Sequence, residues 1–152
     1  MLCACEGNKP KNVKIGNNET KNVQVPAFDA DSAFAFVKTQ TDFGPRVPLS
    51  EAHEQCCEWL VSKLSEYADT VMVQDFRTRL YTNKGIDGKN IIASFNPKAS
   101  KRIILCSHWD SRPYADHDAD EANWNHPIDG ANDGASGVGH QISDAIQPSR
   151  PP

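Results

Sequence analysis

The chain has 152 residues, 38% hydrophobic and 24% charged, which suits roughly one ordinary globular domain. Its net charge of -4 leaves no basic footprint, so nucleic acid is excluded as an electrostatically favoured partner. Five cysteines without regular spacing argue against a disulfide framework or zinc ribbon, and no apolar run is long enough to span a membrane.

In chain order, Leu2-Cys3-Ala4-Cys5 comes first. It has the leucine, small, small, cysteine pattern at which bacterial lipoprotein signals are cut and acylated, here at Cys5. Only Met1 precedes it, whereas a full signal carries a basic and an apolar stretch. The polar run Glu6 to Gln24 reads as a tether, so residues 1–27 are expected to be a lipobox-like start and linker, with the protein in the bacterial cell envelope.

Phe28-Asp29 then opens a helix, Asp29 as its cap and Phe28 as a staple, with Ala33, Phe34, Phe36 and Val37 as its apolar part and Gly44-Pro45 as its stop. Ser50 caps a second helix whose apolar stripe is Ala52, Cys56, Trp59, Leu60 and Leu64. Adjacent helical side chains point about 100° apart, so at most one of Cys56 and Cys57 is expected to face the core. Cys56 and Cys106 read as buried small hydrophobes.

The period changes at Thr70, where alternating Val71 and Val73 predict a strand to Phe76. Thr82 to Lys89 reads as turn chemistry and Asn90 to Phe95 as a second strand, ended by Asn96-Pro97. Arg102 to Ser107 is a continuous apolar run, as expected of a central strand buried on both faces. Helices followed by strands predict an α/β layer domain. From His140 onward only Ile142, Ala145 and Ile146 are apolar positions and Pro148, Pro151 and Pro152 end any helix, so this end is expected to pack little.

Ten of the chain's 25 Asp, Glu and His residues fall in the 27 residues from Ser107 to Asp133, directly after that apolar run. Ligands in open α/β sheets bind at the carboxyl ends of strands, where His108 and Asp110 emerge. An imidazole suits zinc at about 2.0 Å while a neighbouring carboxylate fixes its tautomer; a histidine satisfied by hydrogen bonds at a strand end is the competing reading. Asp133 lies among Gly130, Gly134, Gly137 and Gly139, where absent side chains allow close backbone approach and a helix N-terminus follows. Alone, Asp133 reads equally well as a helix cap.

Other motifs fail on spacing. Asp116, Asp118 and Asp120 mimic the start of a calcium loop, but its sixth position is Glu121 and its twelfth Pro127, so a solvated acidic loop is the better account. The glycines do not form a dinucleotide fingerprint, and Gly134-Ala135-Ser136-Gly137 is no nucleophile elbow; Ser136 reads as structural.

Taken together, "SHWDSRPYADHD", "GANDGASGVG", "TDFGPRVP" and "NIIASF" resemble the bacterial zinc-dependent glutaminyl cyclases, which group with M28-type zinc aminopeptidases. The resemblance spans about Phe28 to Gly139. It implies a three-layer α/β fold, a mixed sheet flanked by helices, of which residues 28–139 are the N-terminal part. It also implies Asp133 as a zinc ligand and His108 as a second, with Asp110 as the supporting carboxylate, around Zn2+, one ion in a cyclase and two in a peptidase. The substrate implied is a peptide with an N-terminal Gln, cyclised to pyroglutamate with loss of ammonia.

The sequence departs from the family pattern at His140, and residues 140–152 read as a non-homologous tail. Leu49 stands where the family usually has glycine after its Arg-x-Pro. The downstream glutamate base and remaining ligands have no counterpart, so the expectation is an inactive amino-terminal fragment of a cyclase. An M28-type aminopeptidase and a partly folded, non-enzymatic product are the alternatives.

Overall fold

A computed structural model describes residues 27–79 and 83–146. The expected acylation at Cys5 and the terminal prolines lie outside the described residues. The element order is α1 (Ala30–Asp42), α2 (Glu51–Ser65), β1 (Thr70–Arg79), β2 (Gly85–Ser94) and α3 (Ser136–Ile146). A short 3-10 turn, Glu121–Asn123, and a kinked turn, Ala131–Ala135, precede α3. The class is mixed α/β, as expected. Among the described residues no helix is long and apolar enough to cross a membrane.

Both predicted N-caps form. Asp29 accepts from the Ser32 amide at 3.0 Å and Ser50 from the His53 amide at 3.1 Å, each satisfying a donor the first helical turn leaves free. Gly44, at φ 93°, ends α1 in the left-handed region that glycine enters without a Cβ penalty. Phe28 lies with its ring 5.0 Å from that of His140 on α3, and Phe34 is exposed, so α1 presents a narrower apolar face than expected.

The core is Cys56 and Leu60 of α2 with Val138 and Ile142 of α3, flanked by Phe36, Trp59 and Leu64. Each fully buried aliphatic side chain contributes roughly 2 kcal/mol. Two expectations are corrected here. Cys57 is buried as well as Cys56, because its side of α2 faces the sheet, near Lys89 and Asp75. Residues 141–146 pack tightly rather than little: Ile142 and Ile146 follow Val138 at four-residue steps and face α1 and α2. Gly139 lets α3 approach α1, since a Cβ there would stand 2.9 Å from the Ala33 carbonyl oxygen.

β1 and β2 pair antiparallel from Thr70↔Ser94 to Arg79↔Gly85. The hairpin is longer than predicted, and Gly85 to Lys89 is strand, not turn. The reason is cross-strand: Phe76 lies over Gly88, where an added Cβ would come within 2.8 Å of its ring, so the glycine seats an aromatic partner.

Arg102 to Ser107, expected as a buried central strand, pairs with no strand here. Ile103, Ile104 and Leu105 are 89%, 84% and 61% exposed, and Cys106 is exposed rather than buried. Its residue types suit a sheet interior, but burial needs neighbouring strands and a covering layer, and the described residues supply neither. A cleft of about 950 Å³ separates this run from β2 and the end of α3.

Candidate metal centre

His108 and Asp110 follow the unpaired run, and Trp109 between them anchors it. The Trp109 indole stacks on His53 of α2 at 4.0 Å and 15°, and its ring N–H donates to the Lys89 carbonyl of β2 at 3.4 Å. With alternate residues on opposite sides of an extended chain, burying Trp109 turns His108 and Asp110 the other way.

Asp133 comes from the turn before α3. Gly130 (φ 61°) starts this turn, and Asp133 leaves helical geometry (φ -123°, ψ 94°). The Asp133–Gly134 peptide bond is cis. Gly134 lies directly on His108: a Cβ there would be 2.8 Å from the imidazole Cε1. Gly137 does the same for Ser107, at 2.9 Å from its Cβ. The glycines therefore serve close backbone approach, as the sequence suggested.

Through this packing the three predicted site residues meet. His108 Nε2 stands 2.6 Å from Asp133 Oδ1, and His108 Nδ1 stands 3.2 Å from Asp110 Oδ1 and from the Asp110 carbonyl. One imidazole nitrogen faces the turn carboxylate and the other the Asp110 carboxylate of its own segment. Burial acts to lower the His108 pKa, but the bond to Asp133 and the charges of both aspartates outweigh it and hold it above its ordinary value. His108 and Asp133 stay open to solvent, so an exogenous group can reach them.

This arrangement fits one edge of a metal site. Nε2 and Oδ1 are donor atoms that zinc accepts, and Asp110 orients the ring from behind. Among the described residues no group of three or more His, Cys, Asp or Glu is disposed to hold an ion, so the site is a pair of donors with a support, not a cage.

Asp116, Asp118 and Asp120 do not join the pair. Asp116 binds Arg112, Asp118 accepts from the Asp120 amide, and Asp120 accepts from the Ala122 amide and caps the 3-10 turn. Ser136 donates its hydroxyl to the Asn132 carbonyl, a structural role as expected. Burial pushes the Cys56 thiol up to about 12, which leaves it an inert core residue.

Sequence reasoning assigned no role to Arg46, Gln40 or His53, all buried beneath the site. Arg46 lies inside "TDFGPRVP", a stretch that carried the resemblance, and that was the available signal.

The Peptidase family M28 sequence profile matches residues 90–145. Among solved structures, the glutaminyl cyclase of Tannerella forsythia is 48% identical with a TM-score of 0.78, over 80% of this chain and 42% of that one. A Bacteroides thetaiotaomicron glutaminyl cyclase bound to N-acetylhistamine is 47% identical with a TM-score of 0.79, over 83% and 45%. A zinc-dependent exopeptidase from Parabacteroides distasonis is 47% identical with a TM-score of 0.78, over 82% and 42%. The chain thus spans less than half the length of these proteins. By profile over residues 90–145, and by identity and shared fold over about four-fifths of its length, it resembles the M28 peptidase family, bacterial glutaminyl cyclases and zinc-dependent exopeptidases.

Proposed function

We propose that this chain contributes part of the zinc site of a glutaminyl cyclase, an enzyme converting the N-terminal Gln of a peptide to pyroglutamate. The observation that carries the reading is the approach of His108 Nε2 to Asp133 Oδ1 at 2.6 Å, backed by Asp110. The likeness to two solved structures named as glutaminyl cyclases supports it.

In this reading Asp133 and His108 hold Zn2+, and Asp110 fixes the imidazole so that Nε2 presents its lone pair. Zinc supplies Lewis-acid polarisation of the side-chain amide carbonyl of the substrate Gln. The α-amine nitrogen then bonds to that carbonyl carbon, the carbon–nitrogen bond to the amide breaks, and a proton passes from the amine to the departing ammonia. A catalytic zinc takes three protein ligands and keeps a further position open, so two donors do not complete it. Further ligands and a proton-shuttling base would complete it, and among the described residues no group of three or more donors does so.

The test is a protein spanning the full length of the relatives, incubated with a Gln-initiated peptide and zinc. Release of ammonia with a cyclised product supports the reading. Release of the first amino acid instead points to an M28 aminopeptidase, which the likeness to a zinc-dependent exopeptidase favours as the alternative; two zincs per chain rather than one accompany that outcome. Envelope anchoring through an acylated Cys5 is part of the same proposal, and the mass of the N-terminal peptide from cells checks it.

A second reading, a partly folded and non-enzymatic product, is favoured for the 152-residue chain by itself. The exposed Ile103, Ile104 and Leu105 carry it, because an apolar run left without a covering layer lowers cooperativity. A broad urea transition in that chain supports this reading, and a single sharp one counts against it.

A further inference from the structure

Arg46 is fully buried, and among the described residues no carboxylate forms a salt bridge with it. A buried guanidinium survives only if its donors are matched, and here backbone carbonyls match them. Nε donates to the Trp109 carbonyl at 3.0 Å, Nη1 to the Gln40 carbonyl at 3.0 Å and more weakly to that of Gly44 at 3.5 Å, and Nη2 to the Gly130 carbonyl at 3.1 Å. The Arg46 carbonyl in turn accepts from the Ser111 amide at 3.0 Å.

These partners are not scattered. Trp109 and Ser111 flank Asp110, so Arg46 grips this segment from both sides of the supporting carboxylate. Gly130 opens the turn that carries Asp133, and its carbonyl also accepts from the Ala135 amide at 3.1 Å, which closes that turn. Gln40, equally buried, donates to the Ala135 carbonyl at 3.1 Å while its own carbonyl holds Arg46. One planar fork therefore spans the two segments that bear the metal donors, which share no regular hydrogen-bonded structure. Lysine, a single point donor, cannot make those bonds together.

We propose that Arg46 is a positioning residue: its buried guanidinium sets the spacing between the His108–Asp110 segment and the Asp133 turn. This rests on the metal-site reading for its consequence, though not for its geometry. The first measurement is amide hydrogen exchange, without metal, on the 152-residue chain, its Arg46→Lys variant and a Cys56→Ala variant that weakens the core instead. In Arg46→Lys, the Ser111 and Ala135 amides should exchange at least about tenfold faster while α2 keeps its protection; Cys56→Ala should loosen α2 and α3 instead. Unchanged exchange at Ser111 and Ala135, or the same pattern in both variants, overturns the proposal.

If Arg46→Lys does not fold, the unmodified chain decides. Its Ser111 and Ala135 amides should exchange as slowly as the α2 core, and faster exchange there overturns the clamp. The second measurement is zinc affinity, by competition with a chromophoric chelator, in a protein spanning the full length of the relatives. A loss of about tenfold or more in Arg46→Lys, against little change in Cys56→Ala, is the expected result, and equal losses overturn the proposal. An unmodified protein of that full length that takes up no zinc refutes the metal reading of His108 and Asp133, and the exchange data then decide Arg46 alone.

Discussion

His108 Nε2 and Asp133 Oδ1 lie 2.6 Å apart although 25 residues separate them in the chain. A glycine seated on the imidazole makes the approach possible: Gly134 leaves space that any side chain would fill. If these atoms share zinc, the three site residues should differ in what they cost. In a protein spanning the full length of the relatives, Asp133→Ala removes a ligand and should abolish stoichiometric uptake. Asp110→Asn removes only the support behind the ring and should weaken affinity by about 10–100-fold. Competition titration of the folded variants separates these outcomes, and equal affinity across all of them rules the assignment out.

Gly134→Ala should damage the same site sterically. Its Cβ would press on the His108 ring, and the neighbour it meets includes rigid backbone. Overpacking of this kind costs about 1–3 kcal/mol. Urea unfolding should show that loss, together with weakened zinc uptake. A variant as stable as the parent would mean the turn shifts freely.

Leu49 is held at φ 73°, a left-handed conformation that strains a residue with a Cβ, and its side chain is about half exposed. The resemblance places glycine at this position. Leu49→Gly should relieve the strain at little cost in burial and raise stability by about 1 kcal/mol. The urea midpoint reads this directly, and a lower midpoint would show that the leucine side chain contributes more than its backbone costs.

His53 makes stability depend on pH. Burial pushes its imidazole down from the ordinary value, against the opposing charges of Glu54, 3.8 Å from Nδ1, and Asp110, while Lys89 adds to the depression and Trp109 covers one face. With a folded pKa below the unfolded one of about 6.5, the unfolded chain takes up the proton first. Stability from this group is therefore full above that pH and falls as the pH drops through about 6.5 toward the folded value. His108, raised, acts in the opposite sense: its contribution is present below about 6.5 and fades as the pH rises. Comparing the chain with His53→Gln isolates the first effect. The parent should lose more of its urea midpoint between about pH 7.5 and pH 5.5 than the variant does, and equal losses would remove His53 as the cause.

Local chemistry was legible in the sequence. Asp29 and Ser50 cap the helices they precede, Gly44 stops α1, and the Cys56 and Leu60 stripe faces the core, because caps, stops and helical periodicity depend on residues within a few positions of one another. His108, Asp110 and Asp133 stand out for the same reason: donor-bearing side chains beside glycines mark a place where backbone and ligand can approach.

What needed tertiary structure was everything set by distant partners. The hairpin extends to Gly85 because Phe76 covers Gly88 across the strands, which no turn signal reveals. Arg102 to Ser107 has the composition of a buried strand and yet lies exposed, since burial belongs to the layer that covers a segment and not to the segment. Ile142 reaches the core through a face of α3 that its polar neighbours obscured. Arg46 shows the difference most plainly. In sequence it is one cation before a valine and a proline; in the fold its fixed, planar set of donors meets carbonyls from three separate segments, and only their convergence makes a buried charge tenable.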